Sequence, residues 1–250
     1  LKWAFEFMVD VVGLDPTKLY VTTFQGDKEF DLPRDTVSAE LWEEMFKAKG
    51  MEAKVADIGS EEDGYKRGMK PGERIFYYDS SKNWWAPEGK PSQMSTGQPG
   101  GPDSEMFYLF EDVEHDPSWG EHCHPNCDCG RFMEICNSVF MEYMRTDSGF
   151  EKLPKQNVDF GGGLERIAAA KLDNPDVFKI SLLLPIIEKL EDLSGKKYDD
   201  HTQSMRVISD HLRGAMFLAV DGVKPSNKEQ GYVMRRMMRR AILQAFTLGI

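Results

Sequence analysis

The sequence predicts an α+β domain over residues 1–175 and an all-helical domain over residues 176–250. Three observations carry this reading. Short runs of β-branched and aromatic residues alternate with helical periodicities as far as Pro175, and beyond it the pattern is helical throughout. A glycine-rich turn, Asp159 to Arg166, sits between a strand pattern and the apolar run Ile167–Ala170. The chain has 250 residues, enough to bury a sizeable core and to form one large domain with a smaller one.

The elements follow in order. Trp3, Phe5, Phe7, Met8, Val11 and Val12 give residues 1–13 an amphipathic helical pattern. Leu19–Phe24 is a β-rich run, and residues 37–58 read as helical, with Gly50 as a stop signal. Ile75–Tyr78 is a short strand, the Gly/Pro/Ser/Gln-rich stretch 84–104 a long loop, and Met106–Phe110 a second strand. Residues 132–143 form the longest strand candidate. Its near-continuous apolar character marks a central strand covered on both faces, with Glu134 and Asn137 as polar exceptions that must be paired or used. Asp159–Ala170 reads as strand, turn and helix, and helical patterns follow over 176–193, 202–220 and 227–246.

Composition narrows the classes. Apolar residues make up 40% and charged residues 29%, ordinary for a soluble cytoplasmic protein. No apolar run approaches the roughly 18 residues of a membrane span, and the N-terminus lacks a signal-peptide pattern, so no membrane partner is expected. Cys123, Cys127 and Cys129 lie close together, which suits metal binding or reduced thiols better than a secreted disulfide frame. Leu1 opens inside an amphipathic pattern without an N-cap, and the final helix simply stops, so the chain reads as a piece of a longer protein. Net charge is −11, against general nucleic-acid affinity, yet Lys224–Arg240 holds six basic residues and one acid. A basic segment on an acidic protein suits either a local phosphate-backbone contact or a solvated helix face.

Three groups of residues carry candidate chemistry. Glycines 161–163 let a flat ligand approach the backbone, Arg166 can lie over an aromatic base or against a phosphate, and Asp159 can hold a cation such as an amino group. A strand-to-helix turn with an exposed arginine accounts for the same residues. Asn137 and Val139 share one face of their strand by period-two alternation. In His122–Cys129, Cys123, His124, Cys127 and Cys129 are candidate zinc ligands, although their spacing strains a tetrahedral site and one ligand could come from elsewhere; the alternative is a reduced loop at the edge of a site.

Five ordered blocks then carry a resemblance. Val158–Ala170 resembles motif 3 of class II aminoacyl-tRNA synthetases, in the form of the alanyl-tRNA synthetase family, with departures at Phe160 and Gly162. Glu134–Tyr143 is similar to that family's Glu-Ile-Trp-Asn-Leu-Val-Phe-Met-Gln strand. Pro99–Glu105 resembles its Gly-Pro-Cys-Gly-Pro-Ser-Glu loop, and Asn83–Trp85 its Asn-Phe-Trp. Ser209–Ile242 resembles the start of its helical tRNA-recognition domain. Gln230 stands where arginine is common, and the loop at 85–99 is longer than the usual bacterial form.

The resemblance implies an antiparallel sheet flanked by helices in a partial class II catalytic domain, residues 1–175, then a partial tRNA-recognition domain, residues 176–250. Motifs 1 and 2 would lie ahead of Leu1, so the fragment alone is expected to be inactive. The implied activity is alanine–tRNA ligation: ATP and Mg²⁺ drive formation of alanyl-adenylate, and alanine passes to the 3′ end of tRNA(Ala). Asp159 would bind the alanine ammonium, Gly161 would let the substrate lie on the backbone, and Asn137 and Val139 would line the pocket. Trp85 would wall it, with Trp84 as adjacent competitor. Arg166 would stack on adenine and neutralise phosphate, with room given by Gly163, and Glu134 would hold Mg²⁺ or serve strand pairing. Asn227 would read a G·U pair in the acceptor stem or cap a helix with Ser226, while Lys224, Arg235, Arg236, Arg239 and Arg240 would meet phosphates. Two other classes fit the chain: a non-catalytic RNA-binding module, and an adenylate-forming paralogue that charges a carrier protein.

Overall fold

The computed structural model describes residues 1–250, which divide into two compact units, Leu1–Pro175 and Asp176–Ile250. No helix is long and apolar enough to cross a membrane.

The first unit is built on a mixed sheet. Its strands are β1 (Leu19–Phe24), β2 (Lys54–Gly59), β3 (Glu73–Tyr78), β4 (Trp84–Trp85), β5 (Pro99–Leu109), β6 (Phe132–Thr146) and β7 (Gly149–Gly162). The order is β2-β3-β1-β5-β6-β7, with β4 paired to β5. Strands β1, β5, β6 and β7 pair antiparallel, as the resemblance implies, whereas β2–β3 and β3–β1 are parallel. The parallel part exists because the chain between β1 and β3 makes a crossover through α2 (Thr36–Ala48), β2 and α3 (Glu61–Arg67).

One sheet face is closed by helices. The helix α1 (Lys2–Glu6), continued by a π-helical turn to Val11, contributes Phe5 and Met8, and α2 contributes Trp42 and Phe46. They pack on Val21, Ile75, Met106, Ile135 and Cys136 from the strands, and α4 (Leu164–Lys171) adds Ala170. Trp42 Nε1 donates to Ser104 Oγ at 2.8 Å, so the buried indole is satisfied within this layer.

Local structure departs from the sequence reading at three places. The helix expected over 37–58 ends at Ala48, Gly50 takes φ 76°, and Lys54–Gly59 is the edge strand β2. The loop expected over 84–104 gives up β4 at one end and the first residues of β5 at the other. Glycine and proline there mark irregular pairing with β6, whose register shifts between Gly100 and Asp103. The strand expected to be covered on both faces keeps accessible surface at Glu134 and Asn137.

The second unit holds α5 (Leu184–Ser194), α6 (Thr202–Val220) and α7 (Glu229–Leu248) around Ile187, Leu190, Tyr198, Met205, Ile208 and Leu248. Gly195 closes α5 in the left-handed conformation. Asp176 links the unit's start to α6, accepting from Tyr198 Oη at 2.7 Å and pairing with Arg206 at 2.9 Å.

Candidate functional site

The sheet face opposite α1, α2 and α4 carries the polar residues, and a bulge decides which ones. Met106 pairs with Cys136 and Phe107 with Glu134, so Ile135 is an extra residue in β6. Ile135 and Cys136 both turn into the helix-covered core. Strict alternation would separate Glu134 from Asn137; the bulge instead gives them the same open face.

On that face Glu134 meets Arg166, which lies in the first turn of α4. Arg166 Nη1 donates to the Glu134 backbone oxygen and to Oε2, each at 3.0 Å. Gly163, immediately before α4, leaves room for this geometry: a Cβ there would crowd the Arg166 side chain at 3.1–3.3 Å. The pair opens into a cavity of 360 Å³ lined by Lys82, Glu105, Phe107 and Phe132 from the sheet side. Pro125, Asn126, Cys127, Asp128 and Gly130 of the β5–β6 loop supply its other wall.

Beside this cavity the strand register lays out two cross-strand rows. Asp103, Val139 and Asp159 form one, and Glu105, Asn137 and Gly161 the other. Asp159 is exposed on the edge strand β7, and space is open where Gly161 would carry a side chain. Val139 is buried, and the Asn137 side-chain oxygen is buried without a hydrogen-bond partner. Trp84 packs into the core against Phe24, Tyr143 and Phe150, whereas Trp85 is 38% exposed and pairs with Gly101.

Two carboxylates underlie these rows. Burial pushes the Asp103 carboxyl well above its ordinary range; Asn83 Nδ2, donating to Oδ1 at 3.0 Å, opposes the shift. Burial likewise raises Glu105, with the charges of Asp103 and Glu134 adding to it. Glu105 is enclosed by protein but keeps some accessible surface where it lines the cavity. Asn83 also donates to Thr22 Oγ1 at 2.8 Å, and Thr22 donates to Glu105 Oε2 at 2.9 Å. A carboxyl in such surroundings is neutralised by a proton or by a cation.

The loop between β5 and β6 gathers His115, Cys123, Cys127 and Cys129, whose ligand atoms all lie within 4.8 Å of one another. This corrects the predicted set, because His124 is elsewhere. Its ring is fully buried, edge-on to Tyr65, with Nδ1 2.8 Å from the Tyr78 hydroxyl. Burial lowers its pKa to about 4, so it is a neutral packing residue. The imidazole of the cluster is His115, eight positions before Cys123 in the chain.

In the helical unit, Ser226 and Asn227 lie in an exposed turn before α7, and the N-cap position is Lys228, without a side-chain cap bond. Asn227 Oδ1 instead accepts a hydrogen bond from Arg235. The turn folds onto the helix because position 231 is glycine; a Cβ there would lie 2.3 Å from Ser226 Oγ and 2.5 Å from the Lys224 carbonyl. Arg235, Arg236, Arg239 and Arg240 share one stretch of the α7 surface with Tyr232 and Phe246, and Lys224 is exposed in the turn.

Sequence reasoning did not single out Thr22, Asn83, Asp103, Glu105 or His115. The signal for Asp103 and Glu105 was their period of two with Phe107, hidden because residues up to 104 read as loop. A helix-backed, mostly antiparallel sheet with a glycine turn and arginine at the edge of its polar face defines a class. The chain belongs to the class II (A) tRNA synthetase family, described as "tRNA synthetases class II (A)", which matches residues 1–250.

Its relatives narrow the likeness to alanine–tRNA ligases. That of Treponema denticola is 36% identical over 258 residues, covering 100% of this chain and 37% of the relative. Alanine–tRNA ligase of Borreliella afzelii is 35% identical over 258 residues, with 100% and 38% covered. For the Petrotoga mobilis enzyme the figures are 35% over 246 residues, 97% and 24%. The chain therefore spans 24–38% of the length of these relatives.

Proposed function

We propose that this chain is the part of an alanine–tRNA ligase that binds alanine and ATP and begins acceptor-stem recognition. The observation that carries the reading is the shared open face. It sets the Asp159–Gly161 edge, the Asn137 oxygen and the Glu134–Arg166 cavity side by side.

Asp159 holds the alanine ammonium, and the open backbone at Gly161 takes the small side chain beside Val139 and Asn137. Trp85 walls the outer end. Arg166 leaves Glu134 to stack on adenine and meet the polyphosphate of ATP, and Glu134 would hold Mg²⁺, which would supply charge neutralisation at the phosphates. The alanine carboxylate oxygen then attacks the α-phosphorus and pyrophosphate departs. The 3′-terminal hydroxyl of tRNA(Ala) next attacks the alanyl carbonyl, and AMP leaves. Charge neutralisation and positioning carry both steps, with no side-chain nucleophile. ATP and Mg²⁺ belong to this face; zinc belongs to the separate cysteine-rich loop.

In the helical unit Asn227 reads the G·U pair of the acceptor stem in the shallow RNA minor groove. Lys224, Arg235, Arg236 and Arg239 meet backbone phosphates. A cytoplasmic location follows from this role in translation.

Alanine-dependent exchange of pyrophosphate into ATP tests the reading in the full-length protein. Asp159→Ala is expected to abolish exchange, because the ammonium loses its counter-charge. Near-normal exchange in a folded Asp159→Ala protein would sink the assignment.

A further inference from the structure

We propose that His115, Cys123, Cys127 and Cys129 form a four-coordinate zinc centre that clamps the β5–β6 loop into place as a wall of the Glu134–Arg166 cavity. The geometry is that of a single small ion. The Cys123 and Cys129 sulfurs are 3.7 Å apart, and Cys127 Sγ lies 3.7 Å from His115 Nδ1. Zn–S bonds of about 2.3 Å in a regular tetrahedron set sulfur–sulfur edges of about 3.8 Å. A disulfide would require about 2.05 Å, and all four cysteines of the chain are free thiols.

The imidazole is prepared for the task. His115 Nε2 lies 2.9 Å from the Gly120 carbonyl, an acceptor that holds the proton on Nε2 and leaves the Nδ1 lone pair directed at the thiols. This backbone support of the second ring nitrogen orients metal-bound histidines generally. Three thiolates with one imidazole suit zinc, and four protein ligands leave no position for a reacting water, so the centre is structural.

The loop needs such a clamp. Residues 110–131 contain no helix or strand, a length at which loops inside compact domains need a specific means of ordering. His124 anchors the loop to Tyr65 and Tyr78, and the His122 amide donates to the Tyr65 carbonyl at 2.9 Å. The following turn interleaves the ligands Cys127 and Cys129 with the wall residues Asn126, Asp128 and Gly130; Tyr78 and Tyr65 reach it at Asn126 and Asp128, and the four ligands tie it to the start of the loop at His115. Fixing the sulfurs therefore fixes the wall. The occupant of the cavity rests on the ligase reading, but the metal does not.

The test is metal analysis of the full-length protein, purified without chelator, followed by cobalt exchange. One zinc per cluster is expected, with a thiolate-to-cobalt charge-transfer band and tetrahedral visible bands after exchange. If the whole protein holds zinc elsewhere too, His115→Ala and Cys123→Ser should each lose one equivalent, and Cys136→Ala, a core cysteine outside the cluster, should lose none. Because a variant could fail to fold, chelation of the wild-type protein supplies a second readout. Limited proteolysis within residues 111–131 should quicken on the order of tenfold while circular dichroism of the sheet persists. A folded protein whose metal content is the same with and without these ligands, or iron in place of zinc, overturns the centre. Unchanged loop cleavage after zinc removal overturns the clamp. None of these readouts depends on adenylation, so the ligase reading can fail separately.

Discussion

Asp103 shows at the scale of a residue what burial costs a carboxyl group. Its carboxyl is buried 3.0 Å from Asn83 Nδ2, and burial raises its pKa. A carboxyl whose pKa is raised by folding contributes stability at pH below its unfolded value, and loses that contribution as pH rises through the folded value. Asp103→Asn keeps an acceptor for Asn83 and removes the charge. It should be more stable than the wild type by about 2 kcal/mol at pH 8, seen as a higher Tm, and lose that advantage towards pH 4. A melting difference independent of pH would contradict this. Under the proposed roles, in which stacking and charge both serve adenylation, Arg166→Ala should raise the KM for ATP and lower kcat together; steady-state exchange kinetics check this, and a defect confined to tRNA transfer would refute the role. Residue-scale legibility was uneven for a physical reason. Asp159, Gly161 and Arg166 sit in a compact local pattern, whereas Asp103, Glu105, Asn83 and Thr22 meet only through strand pairing across long sequence separations. His115 joins its cysteines only after the loop folds back.

At the scale of elements, the turn before α7 depends on one missing methyl group. Gly231→Ala would drive a Cβ into Ser226 and the Lys224 carbonyl, displacing Asn227 from Arg235 while leaving the helix intact. It should therefore reproduce the effect of Asn227→Ala. Both variants should retain pyrophosphate exchange and lose about 1–3 kcal/mol of discrimination between G·U and Watson–Crick acceptor stems. Aminoacylation of the two tRNA forms measures this; equal loss on both would make Asn227 a structural residue. Strands and helices with strong periodicity were legible, as β1, β3, β6 and the helices α6 and α7 show. The failures have local causes. Lys54–Gly59 mixes charged and apolar residues because β2 is a sheet edge, and Pro99–Asp103 carries turn residues because β5 pairs irregularly there. The bulge at Ile135 leaves no mark in an apolar run, so the shared face of Glu134 and Asn137 was not readable.

For the whole molecule, charge is divided between the body and one helix. The chain is at −11 overall, yet the stretch from Lys224 to Arg240 is basic, and under the proposed roles that stretch is where RNA phosphates would meet the protein. Arg236→Ala and Arg239→Ala should weaken every tRNA alike and flatten the dependence of log K on log salt by up to about one unit for each phosphate left without its arginine. Binding titrations between low and moderate salt check this, and an unchanged slope would remove these arginines from the interface. The α+β class was legible because helical and strand periods segregate along the chain, but the mixture of parallel and antiparallel pairing was not, since strand order is a property of the crossover rather than of any segment.

The ion pair between Arg166 and Glu134 has a consequence for how ligands arrive. Under the proposed roles, a phosphate seeking Arg166 competes with a carboxylate already there, and a magnesium ion seeking Glu134 competes with a guanidinium. Either ligand alone must break the pair and strand one partner; together they give each partner a new counter-ion. Nucleotide and metal are thereby made thermodynamic accomplices, each strengthening the other's binding by the same factor. Glu134→Gln should uncouple them, leaving an arginine that accepts ATP almost indifferently to the magnesium concentration.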